Sequence, residues 1–368
     1  MKIGITCYPT YGGSGIVATE LGMELAQRGH EVHFISYAHP IRLDPGTPRV
    51  HYHEVEVAEY PLFLHPPYLL ALASRMAEVA ERQRLDLLHV HYAIPHSVAA
   101  LLARQMLAPS RRLPYITTLH GTDITFVGLD AGYFPITKFS IEQSDGVTAI
   151  SQNLKDETCR IFGICHEVRV IHNFVNVDLY RPAPERQEKR PTLLHISNFR
   201  PVKRIVDCIH VFARVRKEMD AQLWMAGDGP DRSAAERKAW ELGVEHDVVF
   251  LGKQDHMERL IPRAHVLLLP SQMESFGLAA LEAMACGVVP VATRVGGLPE
   301  LVTHEVDGFL EEVGDWEAQA VRALSLLQDP ALCARMSAAA RATAQTRFAT
   351  SLIIRRYEAY YEELLGRL

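Results

Sequence analysis

The stretch Pro270-Ser-Gln-Met-Glu-Ser-Phe-Gly-Leu-Ala-Ala-Leu-Glu-Ala-Met-Ala-Cys-Gly287 decides the fold of its half of the chain. An apolar run at 265–269 precedes it, and the segment 278–285 consists of residues that favour a helix. Gly287 stands where a left-handed residue commonly ends a helix, and a second apolar run, 288–292, follows. This order predicts a strand, a loop, a helix and a second strand. The open N–H groups of the helix's first turn would then favour an anion.

Two glutamates frame this helix, Glu274 just before it and Glu282 on it. A carboxylate at a helix N-terminus competes with a bound phosphate for the same N–H donors, so we expect Glu274 to point toward neutral hydroxyl groups. Paired acceptors beside an anion site suit a ligand that carries both phosphates and sugar hydroxyls. At arbitrary spacing, such a pair is more often a helix-end charge and a solvated helix residue.

Strand-like and helix-like segments alternate through both halves of the chain. We expect five or six strands with intervening helices in the first half, and a second alternating series after the polar, proline-rich segment 181–191. The pattern predicts an α/β fold of two doubly wound, Rossmann-like domains that face each other across a cleft. The predicted domains are 1–170 and 171–350, and the tyrosine-rich final helix, 351–368, packs back on the first domain or forms a subunit contact.

Composition excludes several classes of protein. The chain has 368 residues and a net charge of −6, and no Lys/Arg run stands out, which argues against a nucleic-acid or membrane-surface partner. The N-terminus lacks the apolar core of a signal peptide, and no apolar run approaches about 20 residues, so we predict a cytoplasmic protein. Six scattered cysteines without a C-x-x-C pair are typical of reduced thiols.

The sequence contains two groups of possible metal ligands, and the residue pattern of neither group indicates a metal site. Cys159, Cys165 and His166 are close in sequence, but their spacing fits no zinc pattern. His89 and His91 share one face of a predicted strand, where histidines more often pack and form hydrogen bonds.

Polar residues and glycines follow several strands of the first half, where doubly wound sheets bind their ligands. Gly12-Gly13-Ser14-Gly15 lies between a strand and a helix and would let a phosphate approach backbone N–H groups. It matches neither the dinucleotide fingerprint nor a P-loop, and the alternative is a tight turn. Tyr92 follows the predicted strand 87–91, and His120 and Asp123 follow the predicted strand 114–119. Ser151 is a good N-cap residue for the helix predicted after it.

Two cations, Arg200 and Lys203, follow the first strand of the second half. Fixed cations at that position can stabilise the charge that develops on a diphosphate leaving group without a metal. No Asp-x-Asp motif occurs where a metal-using sugar transferase would hold Mg²⁺ or Mn²⁺. We therefore expect no metal and no other cofactor. The alternative is that these cations are solvated charges at a helix start.

The glutamate pair and its neighbours resemble a known signature. Glu274-Ser-Phe-Gly-Leu-Ala-Ala-Leu-Glu282, Ala283-Met-Ala-Cys-Gly287 and Val295-Gly-Gly-Leu-Pro-Glu300 are similar to the E-x7-E region of the retaining glycosyltransferases that share the two-domain fold of glycogen synthase. This is family 4, with the GT-B architecture. One departure concerns the cations: many members place the arginine five residues before the lysine, whereas here the separation is three.

Further segments are similar to one branch of this family: the N-terminal segment with its glycine loop, 89–96, 117–125 and 197–204. This resemblance implies transfer of N-acetylglucosamine from UDP-N-acetylglucosamine (UDP-GlcNAc) to the hydroxyl group of L-malate, with retention, as the first step of bacillithiol biosynthesis. The alternatives are another small acceptor such as an inositol phosphate, a growing glycan, a UDP-GlcNAc 2-epimerase and a non-catalytic sensor. A homo-oligomer is possible.

The resemblance also implies roles for individual residues. Glu282 would bind the ribose of UDP, and Glu274 the hydroxyls of the transferred sugar. Arg200, Lys203 and the Gly15 amide would hold the diphosphate, and His120 would contact the 6-hydroxyl of the sugar. Further donor-side contacts are expected from Ser275, Phe276, Gly277 and Leu278. The candidates on the malate side are Ser14, Tyr92, Thr118 and Asn153, with Asp123 orienting its loop.

No residue stands out as a nucleophile on the donor face, and the carboxylate pair of a retaining hydrolase is missing. We therefore expect attack on the same face as departure, with the leaving phosphate oxygen accepting the proton of the acceptor hydroxyl. A cation should also help to bind the two carboxylates of malate, and Arg200 is the nearest candidate in sequence.

Overall fold

The computed structural model describes residues 1–10, 12–44, 46–57, 65–108, 111–164, 167–183 and 190–367. The chain forms two compact units, one made of Met1–His172 with Ile353–Leu368 and the other of Asn173–Leu352. The proline-rich segment 181–191 therefore begins inside the second unit rather than at the division between the units. Its residues 184–189 lie outside the described part of the chain.

The first unit is built on a seven-stranded sheet, in the order β3-β2-β1-β4-β5-β6-β7, and neighbouring strands run parallel. Its strands are β1 (Lys2–Thr6), β2 (Glu31–Ser36), β3 (Val50–Glu54), β4 (Leu87–His91), β5 (Tyr115–Leu119), β6 (Gly146–Ala149) and β7 (Val168–Val170). Seven strands rather than five or six form because the edge strand β3 and the three-residue β7 both pair.

Helices pack on the sheet of the first unit. They are α1 (Gly13–Gln27), α2 (Tyr68–Gln83), α3 (Val98–Leu107), α4 (Thr122–Thr125), α5 (Phe134–Glu142) and α6 (Gln152–Phe162). Ser151 caps α6 as predicted, since its hydroxyl accepts a hydrogen bond from the Leu154 N–H at 3.1 Å. Sequence reasoning missed α3 and α5, and α1 begins three residues earlier than expected.

The second unit contains a six-stranded sheet, in the order β10-β9-β8-β11-β12-β13, whose paired strands are also parallel. Its strands are β8 (Thr192–Ile196), β9 (Gln222–Ala226), β10 (Val248–Gly252), β11 (Val266–Leu269), β12 (Val289–Thr293) and β13 (Phe309–Glu311). Its helices are α7 (Ile205–Glu218), α8 (Arg232–Glu241), α9 (Met257–Leu260), α10 (Leu278–Ala285), α11 (Leu298–Leu301), α12 (Trp316–Gln328) and α13 (Pro330–Arg347).

The last helix, α14 (Thr350–Gly366), returns to the first unit from Ile353 onward. Its tyrosines Tyr357, Tyr360 and Tyr361 are buried there. The Tyr361 hydroxyl lies 2.7 Å from His89 Nδ1, in the strand β4. Burial of these large rings against the sheet explains why the tyrosine-rich face is apolar. It also favours packing on the first unit over a subunit contact.

The order of the strands within each sheet determines where the predicted site segments lie. Chain order reverses between β1 and β4 in the first sheet and between β8 and β11 in the second, and ligands bind at such switch points. The glycine loop follows β1 and Tyr92 follows β4, while Arg200 and Lys203 follow β8 and Glu274 follows β11. The prediction of two doubly wound α/β domains is confirmed. Within the described part of the chain, no helix combines the length and apolarity needed to cross a membrane.

Candidate active site

The helix α10 begins at a left-handed glycine. Gly277, its N-cap residue, has φ +98° and ψ +53°, and no side chain caps the helix. A Cβ at Gly277 would lie 2.6 Å from Leu298 Cδ2, so a side chain is excluded both by space and by backbone conformation. With no capping side chain on the N–H groups of the first turn, this end of α10 is suited to an anion or to sugar oxygens.

Two further glycines hold the loop that carries Glu274. Gly296, with φ +55°, lies so close to the loop that a Cβ on it would overlap the carbonyl group of Glu274. A Cβ on Gly297 would overlap the carbonyl group of Ser275. The Gly297 N–H also donates to the Glu274 carbonyl at 3.0 Å. Phe276 is buried beneath the loop and packs edge-on against Phe348, with ring centroids 5.7 Å apart. The loop is thus fixed by backbone contacts on one side and by an aromatic anchor on the other.

Lys203 and Glu274 form an ion pair within the second unit. The Lys203 ammonium donates to Glu274 Oε2 at 2.5 Å, and the two side chains are 18% and 15% exposed. Their loops are joined by the backbone as well, because the Gln272 N–H donates to the Val202 carbonyl at 2.7 Å. An ammonium has three donors, so Lys203 can keep this contact and still donate to a phosphate oxygen. The predicted cation and the predicted sugar-binding carboxylate therefore belong to one cluster.

Arg200 lies at the start of the same turn, and its side chain is exposed. The loop that precedes it is held by Gly227 and Gly229, where a Cβ would overlap the carbonyl groups of Ser197 and Asn198. In the sequence, the two glycines that follow the neighbouring strand β9 are the feature that could have indicated this close backbone approach.

Glu282 is buried on α10, with 6% exposure, and so is not the solvated helix residue of the alternative interpretation. A buried carboxylate on a helix that begins at a switch point is suited to specific hydrogen bonding. Ser275 and Leu278 are half-buried at the same end of the helix.

The glycine loop of the first unit brings α1 against the segment after β1. Gly12 caps the helix without a side-chain hydrogen bond, and Gly13, Ser14 and Gly15 form its first turn. A Cβ at Gly15 would lie 2.5 Å from the Tyr8 carbonyl oxygen and 3.0 Å from that of Thr10. Glycine is therefore required at position 15 for the helix start to approach this loop, as the predicted contact of its amide with a diphosphate needs.

We expect Gly15→Ala to lower both stability and turnover, whereas Gly12→Ala changes them little. The added methyl at position 15 meets backbone oxygens that cannot rotate away, and such overpacking costs about 1–3 kcal/mol. A Cβ at Gly12 has no heavy atom of the described chain within 4 Å. Thermal melting and steady-state kinetics of the two variants check this. Equal behaviour of both variants would contradict the assigned close approach.

Asp123 ties two loops of the first unit together. Its carboxylate accepts hydrogen bonds from the N–H groups of Ala93 at 3.1 Å, His120 at 3.2 Å and Gly121 at 2.9 Å. Burial raises the pKa of Asp123 to about 6, although the backbone donors act in the opposite direction. This is the geometry of a residue that orients the His120 loop, and not of one that faces an acceptor.

A chain of buried histidines lies at the carboxyl ends of β4 and β5. His120 Nε2 is 2.9 Å from His91 Nδ1, and His96 Nδ1 donates to the His91 carbonyl at 2.5 Å. Tyr92, which has φ +88°, stacks on His120 with ring centroids 5.4 Å apart. The predicted packing and hydrogen bonding of the histidines near β4 is thus what the structure shows. Sequence reasoning did not identify His91 and His96 as supports of His120.

The structure places Thr118, an expected acceptor contact, inside the core of the first unit. Its hydroxyl is fully buried and is bonded to His89 Nε2 and Thr148 Oγ1, both at 2.6 Å. The hydroxyl group of Thr118 is therefore engaged with partners inside the core. Ser14 and Tyr92 are half-buried and Asn153 is exposed in the first turn of α6, so these three remain candidates.

We expect the protein to lose stability as the pH falls from about 6.5 to about 4. Burial lowers the pKa of His89 and of His120 to about 3 and that of His96 to about 4. The unfolded chain then binds more protons in this window, which destabilises the folded state by up to about 1.4 kcal/mol per pH unit for each such group. Asp123, whose pKa is raised, acts in the opposite direction between pH 6 and its unfolded value of 3.8 and offsets about one histidine.

Urea unfolding between pH 7 and pH 5 measures this dependence. The variant His96→Gln keeps a donor for the His91 carbonyl and should reduce the slope, whereas His246→Gln at an exposed position should leave it unchanged. A wild-type stability that is flat across this window would contradict the burial of neutral histidines.

The cysteines within the described residues form no disulfide. Cys7, Cys159, Cys208, Cys286 and Cys333 are free thiols. Burial raises the pKa of Cys7 to about 12, as expected for an inert core thiol. Cys165 and His166, which completed the rejected zinc hypothesis, lie outside the described residues.

Comparison with known proteins gives a consistent result for both units. Residues 176–343 match the family model of glycosyl transferases group 1, and residues 11–179 match that of Glycosyltransferase Family 4. The chain is 46% identical to an N-acetyl-alpha-D-glucosaminyl L-malate synthase of Bacillus anthracis, over 99% of this chain and 97% of that protein. It is 27% identical to a D-inositol 3-phosphate glycosyltransferase of Thermobispora bispora, over 97% and 91% of the two chains.

A similar fold occurs in a solved structure of Anabaena Alr3699/HepE in complex with UDP and glucose. The TM-score is 0.83 at 21% identity, covering 98% of this chain and 99% of that one. At this identity the likeness concerns the fold alone, which is the GT-B fold. With its two matched domains and a near full-length relative, this chain is an enzyme and belongs to the group 1 and family 4 glycosyltransferases.

Proposed function

We propose that this glycosyltransferase moves N-acetylglucosamine from UDP-GlcNAc to the hydroxyl group of L-malate, the first step of bacillithiol biosynthesis. The observation that carries the proposal is the similarity of this chain to the N-acetyl-alpha-D-glucosaminyl L-malate synthase of Bacillus anthracis. The similarity extends over nearly the whole of both chains. The resemblance of segments in both halves to one branch of the family supports it. We further propose that the reaction takes place in the cytoplasm.

The second unit is proposed to bind the donor. Glu282 would hold the ribose, and the first turn of α10 with Ser275 and Phe276 would receive the sugar and phosphate oxygens. Glu274, half-buried beside Lys203, would accept hydrogen bonds from the sugar hydroxyls. The fixed loop geometry supports these roles, because Gly296 and Gly297 hold the Glu274 carbonyl and Gly277 sets the start of the helix.

Departure of UDP would be assisted by fixed charges. Arg200, Lys203 and the Gly15 amide would neutralise the diphosphate as the bond from the sugar C1 to the phosphate oxygen breaks. Preorganised cations and amide dipoles of this kind supply large rate effects in other enzymes. We propose that no metal takes part in this step, and turnover should then persist after treatment with a chelator.

The acceptor hydroxyl is proposed to attack C1 on the face that UDP leaves. The new bond from the malate oxygen to C1 forms as the bond to UDP breaks, and the hydroxyl proton moves to the departing phosphate oxygen. This route retains the configuration without an enzyme nucleophile. Detection of a covalent glycosyl-enzyme adduct by mass spectrometry would overturn it.

The test is incubation of the enzyme with UDP-GlcNAc and L-malate, with the product identified by mass. We expect UDP release that depends on malate and a product with the mass of N-acetylglucosaminyl malate. Parallel reactions contain inositol 3-phosphate, the acceptor that the Thermobispora bispora relative's name suggests, or no acceptor. Release with inositol phosphate but not with malate, or an isomeric sugar nucleotide formed without acceptor, would refute the proposal.

A further inference from the structure

A second cluster of polar side chains lies at the edge of the first sheet. Glu31 and His33 are two residues apart on β2, so their side chains lie on the same face of the sheet. His51 on β3 is the register partner of His33. One carboxylate oxygen of Glu31 and one ring nitrogen of each histidine all lie within 4.8 Å of one another. His33 Nε2 is 3.1 Å and His51 Nε2 is 3.8 Å from Glu31 Oε1.

The distances from Glu31 to the two histidines are close to what a tetrahedral metal requires. Zn²⁺ binds histidine nitrogen and carboxylate oxygen at about 2.0–2.1 Å, which places neighbouring ligand atoms about 3.3–3.4 Å apart. The two distances to Glu31 Oε1, 3.1 and 3.8 Å, lie on either side of that value. Two histidines and one glutamate are an established zinc donor set, with a fourth position left for water.

A fourth residue, His53, can set the tautomer of His33. Its Nε2 lies 2.9 Å from His33 Nδ1, so His33 can donate from Nδ1 to His53 and present the lone pair of Nε2 to a metal. Metal ligands in proteins are typically oriented by partners of this kind.

Nearby charged groups affect the binding of a cation at this cluster in both directions. The Lys2 ammonium lies 3.2 Å from Glu31 Oε1 and would be displaced from the carboxylate by a metal. Its side chain is 41% exposed and can turn into water, and an exposed ion pair contributes little stability. Arg75 and Glu78, on α2, act on His53 with opposite signs.

We propose that Glu31, His33 and His51 form a surface site for a divalent transition metal of the Zn²⁺ type. His51 is 49% exposed and Glu31 31% exposed, whereas His33 is 1% exposed, so the ion would bind at the rim of the sheet with an open side toward water. The bound metal would fasten the edge strand β3 to β2, and a ligand that binds only the folded state stabilises it. This site takes no part in the proposed transfer.

The experiment uses the untagged full chain, freed of metal by a chelator and then titrated with ZnCl₂ in a calorimeter. We expect one saturable site per chain and a higher melting temperature with Zn²⁺. His51→Ala should weaken binding by at least about tenfold, the lower range known for perturbed metal shells. Glu31→Gln should do the same, and Lys2→Met should tighten binding because a competing cation is removed.

His65→Ala, at an exposed histidine of the same unit, is the matched control and should bind Zn²⁺ like the wild type. Co²⁺ substitution gives a second readout, since visible absorption reports tetrahedral coordination. Absence of a saturable site, or wild-type affinity in both His51→Ala and Glu31→Gln, would overturn the proposal. Glycosyl transfer is measured separately and should not change in His51→Ala, so failure of this site is distinct from failure of the proposed function.

Discussion

Replacement of Lys203 by methionine should lower kcat by about 10²–10³-fold, the loss typical when one preorganised electrostatic group is removed from a transition state. Methionine keeps most of the length of the side chain and removes its charge and donors. The proposed leaving diphosphate would then lose the ammonium that the ion pair with Glu274 holds in place. Steady-state kinetics with UDP-GlcNAc and malate measure the effect.

The same substitution also leaves Glu274 without its partner, so stability must be followed alongside activity. Thermal melting will separate the two effects, and Lys203→Arg, which restores the charge, should recover part of kcat. Lys217→Met, at an exposed position near the end of α7, is the matched control and should match the wild type. A folded Lys203→Met enzyme with near-normal kcat would remove Lys203 from the proposed mechanism.

Glu274→Gln should lower kcat by about 10²-fold or more, while the affinity for UDP alone stays the same or increases. The amide cannot accept sugar hydrogen bonds as strongly as a carboxylate does, because charge-assisted hydrogen bonds are about twice as strong as neutral ones. At the same time Lys203 is released from its ion pair and can turn fully to the diphosphate. A loss of turnover without a loss of UDP binding is the signature of this arrangement.

Calorimetry with UDP and kinetics with the full donor distinguish these effects. Glu312→Gln, at a 79% exposed position in the same unit, is the control. Because Lys203 and Glu274 are in contact, the double variant should show a non-additive loss. If Glu274→Gln weakens UDP binding and leaves kcat intact, its assignment to the transferred sugar is wrong.

The bounds of α10 could be predicted residue for residue because local chemistry determines them. Left-handed glycines stand at both ends, Gly277 and Gly287, and the residues between them favour a helix. The ion pair of Lys203 with Glu274 could not be predicted, since these residues are 71 positions apart in sequence. Only the adjacency of β8 and β11 in the sheet brings them together.

The burial of Thr118 could not be predicted for a related reason. The inner strands β4 and β5 are buried along their whole length, as is usual in a parallel sheet with helices on both faces, so polar residues near their ends do not reveal which of them face the ligand. Thr118 instead bonds within the core to His89. At α1, glycines suggested a loop because glycine disfavours helices. The close contact of Gly15 with the Tyr8 carbonyl, which needs a glycine, depends on tertiary structure.

The central claim is that fixed cations and amide dipoles, without a metal, hold the diphosphate of the departing nucleotide. A crystal structure of the enzyme with UDP, grown in the presence of a chelator, tests it most directly. The account predicts phosphate oxygens at hydrogen-bonding distance, about 2.7–3.2 Å, from the Lys203 ammonium and the Arg200 guanidinium. Phosphates bound away from both groups, or UDP that binds only when a divalent metal is restored, would contradict it.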